Sequence, residues 1–233
     1  MFDLQGAIDQ AQFVTFLTGA GVSTASGIPD YRSKGGLYSD MVSPEYALSA
    51  DNLRDHPDDF YQWVKAHMYY PEARPNIIHE KMAAITNAKG AIVTQNVDGL
   101  HTQAGAKNVV EFHGNLYRLH CQTCGQAIDY QTYLASEFHT ADGGVIRPDI
   151  VLYGEQIAPR VIDAALEAVN AADLIVVVGT SFQVYPFAGL IQGVDPMTTL
   201  VAVNREAIDL PYGAHMVVGD AVKVFEDLQV TPA

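Results

Sequence analysis

Short runs of aliphatic and β-branched residues recur along the chain, at Phe13 to Thr18, Ala91 to Thr94, Asn108 to Phe112, Leu174 to Val178, Thr199 to Val203 and Met216 to Val218. Most are bounded by Gly, Asn or Asp, and they show no clean polar alternation, so they read as strands buried on both faces. Helical spacing at Pro75 to Asn87 and Pro159 to Asn170 lies between several of them. Parallel strands need long crossovers, usually helical, so this alternation predicts an α/β fold: a Rossmann-like, doubly wound parallel sheet.

Two stretches break the alternation. Residues 33–74 are polar and aromatic-rich, with helical spacing over Pro57 to Met68, and residues 116–147 contain both cysteines of the chain. No linker or repeat separates them from the rest, so they are expected to be insertions forming a smaller lobe. The main domain would then comprise residues 1–32, 75–115 and 148–233. A length of 233 residues suits one such domain with its inserted lobe. A ligand is expected in the cleft between sheet and lobe.

Thirteen basic against 27 acidic residues argue against a phosphate backbone as partner, and no apolar run approaches the ~20 residues of a membrane span. The first residues lack the pattern of a secretory signal. The expectation is a soluble, cytoplasmic protein whose partners are small molecules or basic peptides, without nucleic acid or membrane. In such a compartment Cys121 and Cys124, a C-x-x-C pair, suggest a metal or redox site rather than a structural disulfide.

The first strand runs into GAGVSTASG, where Gly19, Gly21 and Gly27 would let a backbone approach a pyrophosphate closely, with N–H groups at a helix start as donors. The acid that a dehydrogenase places about 20 residues further on is missing: Asp40 has the distance but no strand before it. Simple hydride transfer is therefore disfavoured, and Asn204, after a late strand, is the substitute partner for a ribose. TQNVDGLH puts Gln95, Asn96, Asp98 and His101 past one strand end, and EFHGN puts His113 past its neighbour. N-V-D-G alone would read as a turn. Two polar clusters on one rim instead favour a site, with His113 as a base that titrates near neutrality.

GAGVSTASGIPDYR, TQNVDGLH, EFHGN, RPDIVLYGE and GTSFQVYPFAGL, in this order, closely resemble the sirtuin family of NAD-dependent protein-lysine deacylases, and FYQWVKAHMYYPEARPNIIH resembles the helical segment of bacterial-type members. The resemblance spans about residues 17–222. It implies a catalytic set of His113, Asn96 and Asp98. It implies an NAD loop with Gly19, Ala20, Gly21, Thr24, Tyr31 and Arg32, nicotinamide-side contacts from Gln95, Val97 and Asp98, and an adenosine half held by Gly179, Thr180, Ser181, Asn204 and Val222. His113 would serve as base and also touch the cofactor. The implied reaction begins with attack of the acyl-lysine oxygen on the nicotinamide ribose, which releases nicotinamide. His113 then deprotonates a ribose hydroxyl, and free lysine and O-acetyl-ADP-ribose follow. Ile150, Val151, Tyr153, Gly154 and Glu155 would offer an extended edge for the acetylated peptide; the alternative is an ordinary buried strand.

Departures from the family are also legible. Tyr31 stands where phenylalanine is commoner, and Val64 where desuccinylating members carry arginine, which implies acetyl or hydrocarbon acyl groups. Cys121 and Cys124 match the first cysteine pair of a zinc ribbon, but His139 and Asp142 occupy the places of the second. All four are competent ligands for a structural Zn2+; the alternative is solvated loop residues and free thiols. Rival functions are an ADP-ribosyltransferase or NAD-consuming hydrolase using the same pocket, and a non-enzymatic NAD-sensing module. The presence of His113 favours deacetylation, an acyl transfer to ADP-ribose.

Overall fold

The computed structural model describes residues 2–30, 43–211 and 213–230. The strands are β1 (Val14–Thr18), β2 (Gly90–Thr94), β3 (Val109–Glu111), β4 (Gly114–Cys121), β5 (Ala127–Ile128), β6 (Ile146–Ile150), β7 (Leu174–Val178), β8 (Thr199–Asn204) and β9 (His215–Val218). The helices are α1 (Leu4–Gln10), α2 (Pro44–Ala47), α3 (Ala50–Asp55), α4 (Pro57–His67), α5 (Ile77–Lys89), α6 (Leu100–Gln103), α7 (Tyr130–Ala135), α8 (Pro159–Asn170) and α9 (Ala221–Asp227).

A six-stranded parallel sheet has the order β3-β2-β1-β7-β8-β9. With the inserted strands β4 to β6 set aside, this is the doubly wound order 3-2-1-4-5-6, whose switch point lies between β1 and β7. Both of these strands are wholly buried, which explains their unbroken apolar sequence. One face carries α1, α5 and α9 through Leu4, Ile8, Ile78, Met82 and Phe225. Helix α8 and a short 3₁₀ turn, Phe187–Ile191, cover the other through Ala165, Val169, Phe187 and Leu190.

The smaller lobe joins α3 and α4 to the antiparallel sheet β5-β4-β6. Its core unites Phe60, Tyr61 and Val64 with Leu116, Leu119, Tyr133 and Ile146, so the two sequence-separated insertions share one apolar cluster. Strand β6 runs through position 147, where the insertion was expected to end. The start of α4 follows from Pro57, which fits the first helical position where no N–H partner is needed. Helix α5 begins two residues later than its pattern predicts, because Asn76 caps it in a reciprocal box with His79.

Candidate active site

At the switch point two glycine turns lock together. The Gly21 N–H donates to the Gly179 carbonyl at 2.8 Å. A Cβ on Gly21 would sit 2.7 Å from that oxygen, and one on Gly179, where φ is +62°, would sit 2.6 Å from the Val22 nitrogen. Only glycine at both positions permits the contact. Beyond it the chain makes two short 3₁₀ turns, Ala20–Val22 and Thr24–Ser26, and ends them at Gly27 with φ +86°.

A cavity of about 1050 Å³ opens outside the carboxyl ends of the parallel strands. Every described residue expected in the catalytic, NAD and peptide sets lines it, from Gly19 and Thr24 through Gln95, Asn96, Asp98 and His113 to Thr180, Asn204 and Val222. Tyr31 and Arg32 lie outside the described residues.

Three polar side chains meet on the inner wall. Ser23 Oγ donates to Asp98 Oδ2 at 2.7 Å, Asn96 Nδ2 donates to Ser23 Oγ at 3.1 Å, and the Leu100 N–H donates to Asp98 Oδ1 at 2.9 Å. Burial pushes the Asp98 carboxyl up, while the hydrogen bonds from Leu100 and Ser23 pull against that shift. Behind Ser23 lies His79. Its Nδ1 accepts the Asn76 N–H, so Nε2 carries the proton and faces Ser23 Oγ at 3.4 Å. Burial holds His79 down to about 4 and His101, 4.8 Å away between ring centroids, well below the usual imidazole range. Both are neutral near pH 7; His79 backs the wall through Ser23, while His101 Nε2 lies 3.0 Å from the buried Thr18 Oγ1. Ser23 and His79 were missed from sequence; the one available signal was Asn76-x-x-His79, which reads only as a helix cap.

His113 Nδ1 lies 3.3 Å from the Gln95 carbonyl. Burial lowers its pKa, against the raising effect of that contact. Gln95 itself reaches Thr180 Oγ1 at 3.1 Å, bridging the ends of β2 and β7.

The expected peptide edge departs from the extended form. β6 ends at Ile150, the Val151 N–H donates to the His113 carbonyl at 2.9 Å, and the Glu155 N–H closes a turn onto the Leu152 carbonyl at 3.0 Å. Gly154, at φ +91°, makes that turn possible. The Tyr153 N–H and carbonyl pair with Leu48 and Ala50 of the smaller lobe. Val64 is likewise not a wall of the cavity: it is wholly buried in the core of the smaller lobe.

Away from the cavity, Cys121, Cys124, His139 and Asp142 each offer one ligand atom, and these atoms all lie within 4.8 Å of one another. The two halves have the same local form. In each, the residue after the second ligand is a glycine in the left-handed region, Gly125 at +73° and Gly143 at +70°, and it donates its N–H to the carbonyl of the first ligand, at 2.9 and 2.8 Å. Cys124 Sγ is 3.6 Å from His139 Nδ1, Cys121 Sγ is 3.4 Å from Asp142 Oδ1, and His139 Nδ1 is 3.2 Å from the same oxygen. Tetrahedral bonds of about 2.0–2.3 Å give ligand separations of roughly 3.3–3.8 Å, so this donor set fits a zinc ion.

A profile of the Sir2 family matches residues 19–186. The chain belongs to the Sir2 family. It is 54% identical to an NAD-dependent protein deacetylase of Listeria monocytogenes, over 98% of this chain and all of that one. It is 50% identical to a protein of the same description from Lactiplantibacillus plantarum, over 97% of each chain. Among solved structures, a Sir2 homolog in complex with NAD superposes with a TM-score of 0.85 at 31% identity, covering 96% of this chain and 90% of that one. A Sir2 variant bound to a deacetylated p53 peptide and 3′-O-acetyl ADP ribose gives 0.84 at 30% identity, over 95% and 94%. The Rossmann-like sheet with its smaller lobe is thus the Sir2 fold.

Proposed function

We propose that this Sir2 protein removes acetyl groups from protein lysines, with NAD as co-substrate and nicotinamide and O-acetyl-ADP-ribose as products. The observation that carries this reading is a neutral, oriented imidazole, His113, on the wall of a cavity that also holds the glycine clasp and the Ser23–Asn96–Asp98 cluster. NAD supplies an electrophilic ribose carbon with nicotinamide as leaving group, so no hydride acceptor is needed. Gly19, Ala20, Gly21 and Thr24, with Gly179, Thr180 and Ser181, border the space for the phosphates. Asn204 and Val222 border the adenosine end. Gln95, Asn96, Val97 and Asp98 line the nicotinamide side, where the fixed carboxylate favours the positive charge that grows on the ribose as nicotinamide departs.

His113 Nε2 takes a proton from a ribose hydroxyl, the step that commits the acyl group to the sugar. An ADP-ribosyltransferase has less need of such a base, and this favours deacetylation over that alternative. The peptide is read at Ile150 to Glu155, with few demands on its sequence because main-chain contacts dominate. Zinc, held by Cys121, Cys124, His139 and Asp142, is structural: four protein ligands leave no open position, and none of them lines the cavity. Among the described residues no helix is long and apolar enough to cross a membrane, and we infer a cytoplasmic enzyme. Mass spectrometry of an acetyl-lysine peptide incubated with the protein tests the function: loss of the acetyl group with NAD and not without it is expected, and an unchanged peptide refutes it.

A further inference from the structure

Glu155 lines the cavity, yet both oxygens of its carboxylate are engaged within the chain. Arg147 Nη1 donates to Oε1 at 2.7 Å and Nη2 to Oε2 at 2.5 Å, a bidentate pair, and the Leu152 N–H adds a third bond to Oε2 at 2.9 Å. The same Nη2 donates to the Ile150 carbonyl at 3.0 Å. One guanidinium therefore holds the end of β6 and the close of the Leu152–Glu155 turn together. Burial would raise the Glu155 carboxyl, but the Arg147 and Leu152 bonds overcome it and keep the group ionised.

Besides the bonds within it, three contacts tie this turn to its surroundings: the Val151 N–H on the His113 carbonyl, Tyr153 on Leu48 and Ala50, and the Arg147–Glu155 pair. Only the last is made by side chains alone, and its members are 18% and 26% exposed. A partly desolvated ion pair adds little net stability compared with apolar residues of the same size, so its use here calls for a reason other than stability. Its location supplies one. The turn follows Val151, whose N–H is bonded to the carbonyl of His113, and it presents Tyr153 to the cavity mouth, where a small displacement would weaken the seating of a bound peptide.

We propose that Arg147 and Glu155 are positioning residues for the acyl-lysine peptide, acting as a unit on the Leu152–Glu155 turn. This rests on the deacetylase reading and reassigns Glu155 from direct peptide contact to bracing. The role differs from that of the NAD-side groups because the brace touches no residue of the glycine clasp.

The test is steady-state kinetics of Arg147→Met, Arg147→Lys and Glu155→Gln with an acetyl-lysine peptide and NAD varied separately. The peptide KM is expected to rise about tenfold in Arg147→Met, as the loss of one charge-assisted pair would give, with kcat and the KM for NAD nearly unchanged. Arg147→Lys should recover part of the loss. The double variant Arg147→Met/Glu155→Gln should be no worse than Arg147→Met alone. An unchanged peptide KM in Arg147→Met overturns the proposal, as does a fall in kcat and a rise in both KM values together, the mark of general structural damage. A wild-type protein inactive on acetyl-lysine peptides would instead sink the deacetylase reading.

Discussion

His113 Nδ1 lies 3.3 Å from the main-chain carbonyl of Gln95, a group that can only accept a hydrogen bond. The neutral ring therefore carries its proton on Nδ1 and leaves the Nε2 lone pair as the base. Burial lowers the His113 pKa below the ordinary 6.5, which keeps this form populated at neutral pH.

Two outcomes follow for His113. His113→Ala should lower the deacetylation rate by roughly 10²- to 10⁴-fold while NAD affinity and fold survive, because the imidazole acts after the cofactor is seated. For the wild type, kcat/KM should fall as pH drops through a limb lying below 6.5, where the ring protonates and can no longer accept. Near wild-type turnover in the variant, or an acid limb well above that value, would remove His113 from the mechanism.

Acetyl-lysine should be preferred to succinyl-lysine. The side chain at position 64 does not reach the cavity; among the described residues lining it, the only Lys or Arg is Arg205, just after β8. Lys65 is held elsewhere, with Nζ 2.5 Å from the Leu134 carbonyl and over the Tyr61 ring. A succinyl carboxylate would enter without a partner, at a cost of several kcal/mol. Comparison of kcat/KM for the two acyl peptides decides it, and equal values would reveal a cation on the wall.

Stability should fall in mild acid. His79 is held to about 4 in the folded protein against 6.5 when exposed, so between these values the unfolded chain binds more protons. Unfolding free energy then rises with pH across this window and is lost as pH falls through it, by roughly 3 kcal/mol for this one group. His79→Gln should flatten the dependence by up to one proton, with His101 retaining its own share. Urea denaturation at several pH values between 4 and 6.5 measures the slope. An identical slope in the variant would falsify the assignment.

The centre of the sheet was legible because strands buried on both faces must be apolar throughout, and β7, Leu174–Val178, begins and ends where its sequence run does; the edge strands β3 and β9, also read as buried, are only partly so, because each has a neighbour on one side alone. The rim residues were legible because they directly follow such strands. Less could be read wherever partners are distant in sequence. Ser23 meets Asp98 and His79 only after folding, and no local pattern marks that meeting. RPDIVLYGE looks extended to its end, yet Gly154 turns it, and the carboxylate expected to face a peptide is taken by Arg147. Val64 on a helical face could have looked to core or cavity, and packing against the inserted sheet sent it to the core. The short helices α1 and α9 were not anticipated, since seven residues carry too little periodicity to stand out.

A metal held by Cys121, Cys124, His139 and Asp142 would bear on stability rather than chemistry. Cys121 ends β4, which begins at Gly114 beside His113, and β6 starts just after the His139–Asp142 loop and ends at Ile150, next to the Val151 amide that binds the His113 carbonyl. An ion joining the two loops would therefore pin together both strands that reach the base. Asp142 is already oriented by the Gly144 N–H at 2.9 Å, the supporting contact a carboxylate ligand needs. Two thiolates, an imidazole and a carboxylate form a harder donor set than four thiolates, yet one still suited to tetrahedral zinc. Protein purified without chelator or added metal should contain about one zinc per chain, and Cys121→Ser should lose it and melt at a lower temperature. Asp142→Asn, which keeps the shape but weakens the ligand, should retain the fold and release zinc to a chelator faster than the wild type. Metal-free wild-type protein with full deacetylase activity and an unaltered melting temperature would show that the four side chains hold no ion.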